Sequence, residues 1–388
     1  MVIVELNRLT IFFLFVILIN GCIEPFEPDI DEPGSVLVID GYLTDAPVTQ
    51  TISISRSSPY KNPQFFPVTG CVVRVEDELG DGIIFLEDTA GIYRSELEPG
   101  FMAVGKAYKL TVFTPDDEVY ESDYDSLLAC APIDSLCYRI EVQGTSDPDI
   151  NYYGIRFYSD TKGNPEDARN YMWTFEETWE YTSYYRVQFS WNGSSIHDFI
   201  TEKHGVKVCY LTEGLKAYEV GSSRFLGHNE IHQQPLYFVS NLTPRLQEQY
   251  SLLVVQHSLS NAAFLYWEKM KAQSNDDYKL YDVQPSRATG NIYNSNHPEE
   301  KVLGYFFVSQ VKEKRITVNE DFDFPIAPFS CPLDTILDPS EELGADYPYF
   351  LFSVSSFGRG PPYAFSYQEC HDCTYRGGVT VKPEFFDK

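Results

Sequence analysis

Cys370 and Cys373 are separated by two residues, the spacing that thiols have in many redox and zinc sites. A redox pair normally begins a helix early in a βαβ unit, whereas this pair lies near the chain end, before Thr-Tyr-Arg-Gly-Gly. A zinc site would need a second pair at short spacing, which Cys331 alone does not provide. We therefore expect a disulfide from Cys331 to either Cys370 or Cys373.

A second disulfide is conceivable closer to the middle of the chain. Cys130 and Cys137 could close a small loop there. The larger loop that begins at Cys331 contains about 40 residues, and closing it would stabilise the fold by up to about 4 kcal/mol in the chain-entropy model.

The histidines do not form a recognisable metal-binding or catalytic motif. His228 and His232 have the spacing of two metal ligands on a helix, but Gly, Asn, Gln and Pro around them indicate a loop, and no H-E-x-x-H motif is present. His197 and His204 have no serine or cysteine in a nucleophile motif, and neither a G-x-S-x-G sequence nor a P-loop occurs. We expect no catalytic residue, no metal and no cofactor.

Cys22 has a different chemistry. An unbroken apolar run from Thr10 to Ile19 is too short to cross about 30 Å of hydrocarbon, but it suits the core of a signal peptide. Asn20-Gly21-Cys22 follows, and it resembles the lipobox of bacterial lipoproteins, where the thiol is lipidated and the chain is cut before the cysteine. We expect residues 1–21 to be a signal peptide; the alternative is an uncleaved anchor helix followed by a chance cysteine.

Residues 22–35 are predicted to be a solvated tether. Proline and acidic residues dominate this stretch, and such a composition cannot build a core. Ile23 replaces the aspartate that favours inner-membrane retention, and the acidic run resembles the surface-export signal of Bacteroidota lipoproteins. The tether therefore predicts an outer-membrane location, at the cell surface rather than the periplasmic face.

Composition restricts the function of the remaining chain. The formal net charge is −28, and it is unchanged when residues 1–21 are removed, since that stretch carries one acid and one base. This charge excludes nucleic acid as a partner and opposes adsorption to anionic lipid. Acidic pairs such as Glu176-Glu177 are expected by chance among 57 Asp and Glu residues. The odd number of cysteines other than Cys22 leaves at least one unpaired within the chain.

The alternation of apolar residues predicts a mainly β protein. The 28 tyrosines and 27 phenylalanines favour strands, and they could also form a face that binds carbohydrate or peptide. Short strands separated by turns predict an immunoglobulin-like or transthyretin-like β-sandwich over residues 36–125. A linker over 126–149 and a larger β-rich domain over 150–388 follow.

One helix is predicted within the larger domain, at about residues 260–273. Ser260 is a suitable N-cap, and Ala263, Tyr266, Trp267 and Met270 share a face. This apolar face favours packing on a sheet over a cofactor site.

Several ordered motifs resemble the Bacteroidota family named domain of unknown function 4249 (DUF4249). They are Asp40-Gly41-Tyr42-Leu43-Thr44-Asp45, Ser55-Arg56-Ser57, Tyr250-Ser251-Leu252-Leu253-Val254, Tyr266-Trp267-Glu268, Asp282-Val283-Gln284-Pro285-Ser286, Gly290-Asn291-Ile292, Val302-Leu303-Gly304-Tyr305-Phe306, Glu313-Lys314-Arg315, Cys370-His371-Asp372-Cys373 and Lys382-Pro383-Glu384-Phe385-Phe386. Members usually end near K-P-x-F-W, so Phe386 replaces the usual tryptophan. The resemblance implies a lipoprotein without established activity, in a family often encoded beside TonB-dependent outer-membrane transporters.

Two smaller expectations concern glycines and modification. Gly290 and Gly304 should serve turns or tight packing. Four triplets match the acid-hydroxyl-apolar pattern that Bacteroidota O-glycosylate, and their hydroxyl residues are Thr89, Ser126, Ser135 and Thr335.

Taken together, the sequence predicts a non-enzymatic surface lipoprotein, held to the membrane by the lipid on Cys22. It would assist a TonB-dependent transporter as a binding or accessory subunit, with an unknown ligand. The alternative is a structural or adhesive envelope lipoprotein without a transport role, and a secreted hydrolase is the more distant one.

Overall fold

The computed structural model describes residues 36–58, 64–144, 151–198, 207–274, 288–345, 349–358 and 360–387. These residues form a mainly β protein with several sheets, the largest of which is nearly closed. Two α-helices occur within the described ranges, so the predicted mainly β class is confirmed.

The largest sheet contains strands from both the beginning of the chain and residues 292–309. Its early strands are β1 (Leu37–Thr44), β2 (Gln50–Arg56), β3 (Phe66–Pro67), β4 (Val72–Asp77), β5 (Gly82–Thr89), β6 (Ile92–Ser95), β7 (Ala107–Phe113), β8 (Val119–Ser122) and β9 (Asp125–Ser126). Its late strands are β18 (Ile292–Asn294), β19 (Val302–Leu303) and β20 (Phe306–Ser309). The order along the sheet is β18-β8-β7-β4-β5-β6-β2-β1-β19, with β20 also on β1.

The late strands complete this N-terminal sheet. Strand β20 runs parallel to β1, and the amide N–H of Val308 donates to Oδ2 of Asp125 in β9, 3.0 Å away, which brings the two ends of the sheet together. Ile292, Phe306 and Val308 are buried in the same core as the alternating side chains of β1, β2, β4 and β7. The predicted range 36–125 thus lacks strands that its sheet contains.

Gly290 and Gly304 allow this closure. A Cβ on Gly304 would lie 1.8 Å from the carbonyl oxygen of Ile39 in β1, and its φ is +105°. A Cβ on Gly290 would lie 2.0 Å from the carbonyl oxygen of Gly304. The prediction of tight packing at both glycines is confirmed.

Two further sheets face each other around a second core. The three-stranded sheet, in the order β10-β11-β16, consists of β10 (Ile133–Gly144), β11 (Asn151–Lys162) and β16 (Glu230–Ser240). The four-stranded sheet, in the order β15-β12-β17-β21, consists of β12 (Asn170–Thr182), β15 (Val208–Ser222), β17 (Tyr250–Leu259) and β21 (Val311–Val318). Aromatic residues such as Phe157, Trp173 and Tyr250 fill the space between them.

Helix α1 (Asn261–Ser274) lies between the N-terminal sheet and this sandwich. Oγ of Ser260 accepts from the N–H of Ala263 at 3.2 Å, so the predicted cap and the predicted helix are confirmed. Tyr266 stacks on Tyr305 with ring centroids 4.5 Å apart, and Trp267 contacts the edge of Phe307. The predicted packing of this helix on a sheet is confirmed, and the structure adds that its aromatic residues lie between the two cores.

A small sheet forms the last unit. It contains β13 (Phe189–Trp191), β14 (Ile196–Asp198), β22 (Asp334–Ile336), β23 (Tyr349–Ser353) and β24 (Tyr363–Phe365), in the order β14-β13-β23-β24-β22. Trp191, Ile336 and Leu351 form its small buried cluster. The short helix α2 (Pro339–Glu342) follows β22, and short 3₁₀ turns occur at Pro244–Leu246, Gln368–Cys370, Cys373–Arg376 and Glu384–Phe386.

Candidate functional site

Cys22, the signal peptide and the tether lie outside the described residues, so the predicted lipid anchor remains a prediction. Within the ranges that are described, no helix is both long and apolar enough to cross a membrane.

The Cys370–Cys373 segment is a junction of two disulfides. Cys370 is bonded to Cys331, with Cα atoms 5.9 Å apart, which agrees with one of the two predicted pairings. Cys373 is bonded to Cys209 in β15, with Cα atoms 5.7 Å apart and a sequence separation of 164. The two thiols of the C-x-x-C segment therefore bond to two different parts of the fold.

The predicted pairing of Cys130 with Cys137 is wrong. Cys130 is buried, and its thiol donates to the carbonyl oxygen of Gln256 in β17 at 3.4 Å. Cys137 lies exposed on β10, because the chain enters an extended strand after Cys130 instead of a tight loop. Cys71 is a third free thiol, buried in the N-terminal core.

His371, between the two cysteines, is 1% exposed and surrounded by aromatic rings. Its Nε2 accepts from the N–H of Ser366 at 3.1 Å, while its Nδ1 has no hydrogen-bond partner. Burial lowers the pKa of His371 to about 4, because the charged ring would lose its hydration. Asp372 caps the following turn through Thr374, so both residues stabilise the local fold.

The structure does not bring the other histidines into a metal site. His228 lies in a turn, whereas His232 lies on β16 beside Glu230 and Asp160. His197 contacts Asn192 and Ser195 in the small sheet, and His204 lies outside the described residues. Among the residues that can be described, no three His, Cys, Asp or Glu side chains converge on a metal position.

A buried ion pair lies in the middle of the four-stranded sheet, where the sequence predicted no particular role. Glu177 in β12 is fully buried, and its Oε1 lies 2.8 Å from Nη1 of Arg245. Tyr250 donates to Oε2 of Glu177 at 2.9 Å. Burial raises the pKa of Glu177, while Arg245 opposes that shift. Oε2 of Glu177 is thus hydrogen-bonded, whereas Oε1 has the charge of Arg245 beside it but no hydrogen-bond partner among the described residues. Removing Arg245 or Tyr250 alone would leave a buried carboxylate without one of its two partners, which is costly.

A cleft of about 400 Å³ opens between the small sheet and the disulfide-linked C-terminal segment. Five aromatic residues line it: Tyr349, Phe350, Phe365, Tyr367 and Tyr375. Its other lining residues are Pro332, Asp334, Ser366, Gln368 and Glu369. The disulfide between Cys331 and Cys370 joins its two walls, since each cysteine is next to a lining residue.

The aromatic rings of the cleft support one another. Tyr375 meets Phe350 edge to face with centroids 5.6 Å apart, and Tyr349 meets Phe365 in the same way at 6.3 Å. Tyr367 and Tyr375 remain 60% and 47% exposed. Oγ of Ser366 is buried without a hydrogen-bond partner. The cleft thus offers apolar ring surface to a ligand, while the hydroxyl oxygen of Ser366 is shielded from solvent.

A second cleft of about 460 Å³ lies near the 3₁₀ turn at residues 244–246, and its lining includes Glu180, Glu248, Lys207 and Phe329. Arg376 stacks on Phe329, with its guanidinium carbon 3.6 Å from the ring centroid. Its lining is more polar than that of the first cleft and includes charges of both signs, so we take the first cleft as the candidate ligand site.

The predicted glycosylation residues differ in accessibility. Thr89, Ser126 and Thr335 are exposed, whereas Ser135 is half-buried and donates to Asp160 at 2.6 Å. Modification at these residues stays a prediction.

Comparison with known proteins identifies a family. The model of the domain of unknown function DUF4249 matches residues 23–315. The match covers more than half of the chain, and it ends before the first residue that lines the candidate cleft. No curated protein matches the chain.

Proposed function

The chain belongs to the DUF4249 family, and we propose that it is a lipid-anchored protein of the outer membrane that binds a ligand at the cell surface without converting it. The observation that supports binding is the aromatic cleft at the C-terminal disulfides. Pockets of a few hundred cubic ångströms, with mostly apolar walls and a few polar groups, are typical ligand sites.

The lipid anchor in this proposal rests on the sequence. Cys22 follows a short apolar run and a small residue, and the acidic tether behind it is suited to the outer face of the outer membrane. Several acyl chains on one cysteine would hold the protein on the membrane, because each buried methylene contributes about 0.8 kcal/mol.

The absence of turnover is proposed from how the reactive groups are used. Cys370 and Cys373 are bonded to different partners, and His371 is buried between aromatic rings with its Nε2 already engaged. A general base needs contact with a reacting group, which this position does not offer.

The partner in this proposal is a TonB-dependent outer-membrane transporter, which the chain would serve as a ligand-capturing subunit or lid. The alternative is a structural or adhesive protein. The aromatic cleft favours capture of a ligand, because exposed aromatic rings around a concave space are typical of binding sites and are not needed by a purely structural protein.

Affinity purification from membranes dissolved in mild detergent tests this role. We expect a C-terminally tagged chain to recover an outer-membrane transporter, and Cys22→Ser to recover none because the unlipidated chain leaves the membrane. Recovery of no transporter by the wild-type chain, extracted intact, would contradict the transport role.

We further propose that the N-terminal sheet is an immunoglobulin-like or transthyretin-like sandwich whose later strands come from residues 292–309. Its antiparallel pairs β4–β7 and β4–β5 and its single core are compatible with such a fold. An experimental structure in which β18, β19 and β20 do not pair with β8 and β1 would contradict it.

A further inference from the structure

The charged side chains in the cleft are of one sign. Asp334 and Glu369 line it, and no Lys, Arg or His is among the lining residues that the structure describes. Neither carboxylate pairs with a described cationic side chain: Arg376, the arginine nearest in sequence, stacks instead on Phe329. Both carboxylates are therefore available to a ligand.

The aromatic rings of the cleft also favour a positively charged ligand. The face of an aromatic ring carries partial negative charge and attracts a cation that lies within about 6 Å of its centre. Tyr367 and Tyr375 are the most exposed rings of the cleft, while Phe350 is buried and Phe365 is half-buried. A cation would thus meet carboxylates and ring faces together.

Other classes of ligand fit less well. An anion would meet two carboxylates within a chain of net charge −28. A wholly apolar ligand would remove water from these carboxylates without supplying a partner, which is costly. A long cationic side chain satisfies both requirements, because its alkyl stem can cover rings while its charged end meets a carboxylate.

We propose that the cleft binds the arginine or lysine side chain of an extended peptide. Asp334 and Glu369 pair with the charged end, and Tyr367 and Tyr375 cover the stem. The volume of about 400 Å³ suits one long side chain with its neighbouring peptide units. This inference rests on the proposed binding function and names its ligand class.

Calorimetric titration of the full, oxidised chain tests the ligand class with three probes. They are acetyl-Gly-Arg-Gly-amide, the same peptide with neutral citrulline in place of arginine, and maltotetraose. Citrulline is nearly isosteric with arginine but neutral, with a ureido oxygen in place of one guanidinium nitrogen. We expect the arginine peptide to bind at least tenfold more tightly than the citrulline peptide, with an affinity that falls as salt is added.

Matched variants locate the site. Asp334→Asn and Glu369→Gln should each weaken the arginine peptide several-fold and leave the citrulline peptide unchanged. Glu299→Gln, an exposed acid near β18, should change neither. Tyr367→Ala should weaken both peptides, whereas Tyr293→Ala on β18 should not. Each variant is first shown to keep its disulfides and its thermal transition.

The outcomes that would overturn this inference differ from those that would overturn the proposed function. Equal binding of the two peptides, unaltered binding by both acid variants, or no binding of the arginine peptide overturns the inference. Binding of maltotetraose alone overturns the ligand class but leaves a binding function in place. Specific peptide binding without recovery of a transporter keeps this inference and contradicts the proposed transport role.

Discussion

The nearly closed N-terminal sheet and the small C-terminal sheet are stabilised in different ways. The N-terminal sheet encloses a large core of alternating Ile, Val, Leu and Tyr residues and contains no disulfide. The small sheet has strands of three to five residues, and Trp191, Ile336 and Leu351 are its buried core. The disulfide from Cys331 to Cys370 lies beside this sheet. Where little apolar surface can be buried, a covalent link holds the chain, as it does in small secreted domains.

The strongest test of this contrast removes the late strands from the N-terminal sheet. We expect a fragment of residues 36–125 to remain unfolded, because it lacks Ile292, Phe306 and Val308 and leaves β1 unpaired on one side. Circular dichroism with a urea titration checks this, with the mature chain as the control. A cooperative transition of the fragment would show that the first core is self-sufficient.

The double variant Cys331→Ser/Cys370→Ser tests whether the disulfide stabilises the small C-terminal sheet. We expect the small sheet to lose about 4 kcal/mol of local stability, the chain-entropy value for a loop of this length, while the N-terminal sheet is unaffected. Hydrogen exchange of peptides from the two sheets measures this difference. Cys137→Ser, at an exposed free thiol, is the matched control and should change neither sheet. Equal loss of protection in both sheets would contradict the local role of the disulfide.

We also expect low pH to destabilise the small C-terminal sheet and the segment around His371. The pKa of His371 is about 4 in the folded protein and 6.5 without burial, so the unfolded state binds a proton more readily. The neutral, buried ring therefore contributes fully to the free energy of unfolding above pH 6.5. This contribution is lost as the pH falls to about 4, and it amounts to about 3 kcal/mol. Hydrogen exchange of residues 349–376 across this range measures the loss.

Two variants make the acid effect specific. His371→Phe should flatten the pH dependence of these peptides, whereas His232→Gln, at an exposed histidine, should leave it unchanged. An unaltered pH dependence in His371→Phe would assign the acid sensitivity to another group.

The smallest effect is expected at the tip of the small sheet. Phe357 is 93% exposed in the turn between β23 and β24, so Phe357→Ser should change the free energy of unfolding by less than about 0.5 kcal/mol. A thermal melt measures this change, with Leu351→Ala in the buried core of the same sheet as the contrasting variant. A large loss in Phe357→Ser would mean that the ring is packed.

Local features of this fold could be predicted from the sequence, and long-range ones could not. Helix α1 was predictable because its cap and apolar spacing lie within one segment. Strand β12 is hard to predict because it carries Glu176 and Glu177 in its interior, and the buried Glu177 is paired there only through the long-range contacts from Arg245 and Tyr250.

The same limit applied to the candidate site. The pairing of Cys331 with Cys370 is one of the two alternatives that the sequence predicts, but the bond from Cys209 to Cys373 spans a sequence separation of 164, and no motif relates these two cysteines. The cleft has no sequence motif, since its residues come from several short strands and a turn that only the fold brings together.

The parallel pairing of β1 with β20 has a consequence for the order of events during synthesis. Any chain that emerges N-terminus first exposes β1 long before Phe306 exists, so the first core stays open until most of the protein has been made. Contacts of such large sequence separation form slowly, because a long loop must close before they contribute. While the N-terminal core is open, this part of the chain can still pass through a narrow pore. It becomes compact only after β20 has been made.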